Sequence, residues 1–239
     1  MKDWIQLGDI NIEVDRKAIK NVHLSVHPPD GRVTMSAPLS TRLEVARAYA
    51  VTRLTWIRHQ QEKMKAQRRE TPRQYVQRES HYIWGRRYLL KIIPTEDKVH
   101  ISIDHRRISL HIKAGSTKQK KEELMYEWQK ALLHNFIREI IPKWEKILGV
   151  NVNAYYVQRM KTKWGSCNHR SRNIRLNTEL VKKPKDLVEY VIVHEMAHLI
   201  FPTHSENYVA LMNRFYPGWR EARMELNELP LGHVEWKNK

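Results

Sequence analysis

Chemistry is concentrated between Val191 and His204, "VIVHEMAHLIFPTH", where three histidines and a glutamate interrupt a run that is otherwise almost wholly apolar. Ionisable groups are costly to bury unless something compensates them. His194 and His198 are four residues apart, so on a helix they stand one turn above the other and their imidazoles converge on one point. Glu195 lies about 100° round that helix from His194, beside the histidine face, where it reaches a water held by an ion without being a ligand itself. Pro202 ends the helix and turns the chain back, which makes His204 the leading third ligand. Glu206 competes for that place.

This is the H-E-x-x-H arrangement of zinc peptidases. A catalytic zinc takes three protein ligands and keeps one position open for water, whose pKa it lowers to about 7. Glu195 is then the general base, and the product is hydrolysis without a covalent enzyme intermediate. One such motif arises by chance in about one chain in twenty of this composition, and a third histidine at a set place lowers that roughly twentyfold again. Core histidines bonded to carbonyls account easily for any single one of these residues, but poorly for three with an acid beside them. Nothing in the chemistry demands a peptide; a phosphoanhydride is open to the same attack.

These residues need a scaffold. From Pro184 to Ile200 the helix is apolar on nearly every side, so it is expected inside a domain. Pro184 opens it where a missing N–H costs nothing, and the helix restarts near Ser205 through "ENYVALMNRFY". Upstream, "KEELMYEWQKALLHNFIREIIPKWEKILGV" has helical spacing, with Pro142 expected to break or bend it. "IRLNTELV" alternates like a strand, and "WGSC" offers a glycine turn. Residues 1–120 read as β-rich with one substantial helix. "NVHLSVHPPDGRVTMSAP" is strand, Pro-Asp-Gly turn, strand, and "YIWGRRYLLKIIP" alternates in the same way. "KVHISIDHRRISLHIKA" is a hairpin turning near Asp104 and His105. The long helix is "LSTRLEVARAYAVTRLTWIRHQQEKM", capped by Ser40 or Thr41, with "KAQRRETPRQ" as a linker after it. No internal repeat is evident. The expected class is α+β: a β-rich basic portion over 1–120, then a mainly helical catalytic core over 121–239.

With 41% hydrophobic residues, 8 Trp and 10 Tyr, the chain is globular in composition. It lacks the 18-residue apolar run of a membrane span and opens without the apolar stretch of a secretory signal. Its single cysteine, Cys167, excludes an internal disulfide and fits a cytoplasmic setting. The net charge is +17, with 24 basic against 12 acidic residues over 1–120 and 19 against 14 over 121–239. Such a surplus points to a polyanion such as nucleic acid or nucleotide, or to simple solubility.

The chain resembles the YgjP-like, SprT-related group of zinc metallopeptidases through "MKTKWGSC", "IRLNTELV", "YVIVHEMAHLIFPTHS" and "YPGWREARMEL", and through "PDGRVTMSAP", "WIRHQ" and "WGRRYLLKI" in its first part. The resemblance implies a zincin-like core with the metal on His194, His198 and His204 and Glu195 as general base, and it names no substrate; three histidine ligands call for one zinc per chain, and a polypeptide is the leading substrate. In zincin-like folds an edge strand over the cleft pairs with extended substrate, so Trp164, Gly165, Ser166 and Asn177 are candidates to line or shape it. Cys167 is either a fourth zinc ligand or a small buried hydrophobe. His169, Tyr208 and Tyr216 are candidates to steady the oxyanion.

Overall fold

The computed structural model describes residues 2–27, 31–66, 72–160 and 163–229. It divides into two compact units, Met1–Arg68 and Arg69–Lys239. In the first, strands β1 (Lys2–Leu7), β2 (Ile10–Lys17), β3 (His23–His27) and β4 (Arg32–Pro38) form one sheet of order β1-β2-β4-β3. Alternation puts Ile12, Val14, Val33 and Met35 on its buried face. They pack with Ala46, Ala50 and Ile57 of helices α1 (Leu43–Thr52) and α2 (Leu54–Ala66). A single helix starting at Ser40 or Thr41 does not form. Arg42 is the N-cap, and the chain is interrupted at Arg53, whose N–H bonds the Ala50 carbonyl. The Thr52 hydroxyl donates to the Tyr49 carbonyl at 2.7 Å, a local bond that competes with the helical ladder. Most of the Pro-Asp-Gly turn, residues 28–30, and the centre of the linker, residues 67–71, lie outside the described residues.

The second unit opens with strands β5 (Ser80–Ile83), β6 (Arg86–Pro94), β7 (His100–Ile103) and β8 (Arg107–Ile112), in the order β5-β6-β8-β7. This sheet repeats the first: two antiparallel hairpins joined by a parallel central pair. Ile12 pairs with Val33 and Val14 with Met35 in one, Leu90 with Ile108 and Ile92 with Leu110 in the other. What recurs is strand order and apolar alternation with few identities, so the repeat is not legible in the sequence.

The expected boundary near residue 120 differs from the observed one at Arg68–Arg69. Ile83, Leu90, Ile108 and Leu110 of the second sheet share one buried cluster with Met125, Leu133, Ile137, Val188 and Ile192 from the helices that follow. That shared core joins residues 80–112 to the histidine-bearing half. The charge is redistributed accordingly: 12 basic against 7 acidic residues over 1–68, and 31 against 19 over 69–239.

Helix α3 (Lys118–Leu148) starts at Thr117, whose hydroxyl accepts from the Lys120 N–H, and ends at Gly149 in the left-handed conformation. It runs unbroken through Pro142. An interior proline costs about 3 kcal/mol, and here Ile140, Ile141, Trp144 and Leu148 are buried on both sides of it, offsetting that loss. Next come β9 (Ala154–Gln158), β10 (Gly165–Asn168) and β11 (Asn173–Asn177), in the order β10-β11-β9. Gly165–Cys167 of "WGSC" is therefore strand rather than turn, and "IRLNTELV" is extended only to Asn177, after which Thr178–Lys182 forms a 3-10 turn. Helices α4 (Lys185–Ala197), α5 (Glu206–Phe215) and α6 (Trp219–Glu228) complete the unit. The tip of the β5–β6 hairpin fixes the start of α4. Trp84 N–H bonds the Val181 carbonyl at 2.8 Å and Gly85 N–H the Lys182 carbonyl at 3.1 Å. A Cβ on Gly85 would stand 2.8 Å from Pro184 Cγ, and its φ of +77° also favours glycine.

Candidate metal centre and catalytic cleft

Helix α4 buries Leu187, Val188, Val191, Ile192, Val193 and Met196 on several faces, so it runs through the core as its sequence implies. It ends at Ala197 rather than Ile200. His198 is the C-cap with φ −68° and ψ −12°, still helical enough to keep its ring beside that of His194. Leu199 and Ile200 then tighten onto the Met196 and Ala197 carbonyls. The chain turns through Pro202, and Ser205 caps α5 by accepting the Tyr208 N–H. His204 is thereby returned to the face it left.

The ligand atoms of His194, His198 and His204 lie within 4.8 Å of one another. The Nε2 atoms of His194 and His204 are 3.2 Å apart. A tetrahedral zinc with nitrogens at 2.0–2.1 Å holds them about 3.3 Å apart, the spacing of the His194–His204 pair, and His198 offers the third nitrogen to the same point. Their second nitrogens are engaged elsewhere: His198 Nδ1 lies 3.0 Å from the Phe201 carbonyl, to which it donates, and His194 Nδ1 lies 2.7 Å from the Tyr208 hydroxyl. Burial pulls the pKa of His194 down to about 3, helped by the charges of His198, His204 and Arg223. Burial also lowers His198. Neutral imidazoles are the form that ligates. Glu206 is exposed and stands outside the cluster among the described residues.

Glu195 is only 7% exposed. Burial raises its carboxyl to about 7, against the opposing pull of Lys163. Strand β10 crosses directly over it: a Cβ on Gly165 would lie 2.7 Å from both Cγ and Oε1 of Glu195. Ser166 points to the opposite side of the pleat and is half-buried. β10 pairs with β11 on one side and is the edge of its sheet on the other.

Asn177 does not face the cleft. It is buried, with Nδ2 donating to the Met160 and Lys163 carbonyls, both at 2.9 Å, and Oδ1 accepting from the N–H groups of Met160 and Glu179. Its own N–H bonds the Trp164 carbonyl at 2.8 Å. It thus holds both ends of the segment that leads into β10. Trp164 is half-buried with the Lys183 ammonium 5.3 Å from its ring centroid. Cys167 is half-buried, and burial together with the Glu195 charge pushes its thiol up to about 11. It is a neutral thiol outside the histidine cluster.

Of the oxyanion candidates, the Tyr208 hydroxyl is committed to His194 and the Tyr216 hydroxyl donates to the Asp186 carbonyl at 3.0 Å. His169 is exposed in the β10–β11 turn. Two cations absent from the sequence reading act on the centre through their charge. Arg223, exposed on α6, acts electrostatically on Tyr190, His194 and Tyr208, and Lys163 acts on Glu195. A lone basic residue in so basic a chain carries no local signal.

A family model described as YgjP-like, metallopeptidase domain, matches residues 20–229. The chain belongs to that family. Membership makes this YgjP-like chain a metal-dependent, metallopeptidase-type hydrolase, in agreement with the histidine cluster. The YgjP-like chain is also similar to the metallopeptidase zymogen of Pyrococcus abyssi abylysin, at 18% identity and a TM-score of 0.34 over 39% of this chain and 90% of that one. It is similar to the metallopeptidase zymogen of Methanocaldococcus jannaschii jannalysin at 17% identity and a TM-score of 0.30, over 41% and 92% of the two chains. No curated protein matches it significantly. Among the described residues no helix is long and apolar enough to cross a membrane.

Proposed function

We propose that this YgjP-like protein is a zinc-dependent peptidase in which His194, His198 and His204 hold the ion and Glu195 is the general base. The observation that carries the reading is the convergence of three imidazoles beside a buried carboxylate. When bound, zinc would supply an acidified water and a Lewis acid for the scissile carbonyl. Glu195, raised toward neutrality by burial, takes the proton of the attacking water at its carboxylate. It holds that proton for the leaving nitrogen, a transfer that needs a pKa near the working pH. Arg223 supplies positive potential on the α6 side of the centre, where negative charge develops on the carbonyl oxygen.

A polypeptide is favoured over a nucleotide by the free edge of β10 above Glu195, which offers backbone groups to an extended chain. The net charge of +17 supports an anionic partner, nucleic acid included, held by its phosphates; such binding weakens steeply with added salt.

The test is a paired assay of the full chain on an unfolded polypeptide and on nucleoside triphosphates, with metal analysis. About one zinc per chain is expected, with polypeptide cleavage that Glu195→Gln lowers by roughly 10²–10⁴-fold while the metal stays bound. Cleavage of triphosphates alone sinks the peptidase reading, and activity intact in Glu195→Gln sinks the general base.

A further inference from the structure

We infer that Tyr208 is a positioning residue for the metal centre: its phenol sets the ring tautomer of His194 and floors all three imidazoles. The inference rests on the metal reading above and adds a residue to it. Tyr208 is 1% exposed and lies four residues after His204, on the first turn of α5. Its ring stacks on His198 with centroids 4.9 Å apart and planes at 25°. It meets His194 and His204 edge-on at 5.5 and 4.8 Å. No other aromatic ring among the described residues touches all three histidines.

The proton arrangement follows from the hydroxyl. It lies 2.7 Å from His194 Nδ1 and 3.4 Å from the His194 carbonyl oxygen. A phenol is protonated at neutral pH, so the oxygen has one hydrogen to place. Donating that proton to the carbonyl leaves the phenol oxygen to accept from Nδ1–H, and His194 Nε2 then presents a lone pair toward His204 Nε2, 3.2 Å away. Donating it to Nδ1 instead would place a hydrogen on Nε2, in the space a metal ion needs. Only the first arrangement lets the hydroxyl satisfy both contacts, donating one hydrogen bond and accepting the other. Outer partners of this kind govern ligand orientation as well as basicity.

Tyr208→Phe removes the hydroxyl and keeps the ring. Zinc affinity of the full chain, read by chelator competition, is expected to fall about 10–100-fold. The unfolding midpoint of the metal-free variant should stay close to the parent's, which separates a positioning role from a structural one. Affinity within twofold of the parent overturns the inference and leaves the metal reading standing. A parent that binds no zinc overturns both. If Tyr208→Phe does not fold, nitrogen-15 NMR of the zinc-loaded parent decides: Nδ1 of His194 should carry the hydrogen and Nε2 the metal, and the reverse assignment overturns it.

Discussion

Gly165 and Glu195 are in contact to the point that neither tolerates more atoms between them: a β-carbon on the glycine would stand 2.7 Å from the carboxylate oxygen Oε1. The obstacle is the backbone of a strand paired with β11, so the strand cannot easily retreat. Gly165→Ala is therefore expected to displace the Glu195 carboxylate and lower kcat by about 10²-fold, in line with the effect of ångström-scale misplacement. Zinc content, measured alongside, should be unchanged because no histidine moves. Full activity in the alanine variant would show that the strand gives way instead.

Asn177 offers a second test, of stability and alignment together. Its side chain makes four hydrogen bonds to Met160, Lys163 and Glu179 from a buried position. Asn177→Ala leaves those backbone groups without partners, a loss of about 2–4 kcal/mol by the usual cost of unsatisfied buried groups. Denaturant unfolding measures it. A change under 1 kcal/mol would mean the loop ahead of β10 holds itself.

Arg223 has no ion-pair partner among the described residues, and its charge acts on the His194 side of the centre. Arg223→Met is expected to lower kcat roughly 10-fold or more with little change in KM, as for a group whose interaction strengthens in the transition state. A change confined to KM would make it a substrate-binding cation.

His81 links stability to pH away from the metal. It is buried, and burial holds its pKa below the ordinary value against the Glu79 carboxylate at 2.9 Å, with the charges of Arg73 and Lys182 adding to the depression. The folded state thus keeps His81 neutral while the unfolded chain takes up a proton near pH 6.5. Its contribution is complete above that pH and is lost as pH falls through the lower folded value. Zinc-saturated parent should lose more thermal stability between pH 7.5 and 5.5 than His81→Gln. Parallel losses would remove His81 as the cause.

Much of the centre is legible along the chain because helical spacing is local information. Two histidines four apart, a carboxylate one step round and a serine before the next helix place themselves once a helix forms, and they do so here. Interruptions are harder to read. Pro142 is carried by the burial of its neighbours, while the helix after β4 stops at Arg53 with no proline or glycine to mark it. A tertiary core outweighs local propensity in the first case, and a side-chain bond to the backbone outweighs it in the second.

The sequence by itself determined the histidine trio, the carboxylate beside it, the α+β class and most strands and helices, since each follows from spacing within a few residues. The tertiary structure decided which unit the second sheet belongs to, why residue 165 is glycine, that Asn177 holds a loop, and that Tyr208 turns its hydroxyl to His194. Each of these depends on atoms brought together by packing from elements distant in the chain. Periodicity specifies the face a residue occupies; the partner across that face exists only once the layers have closed on it.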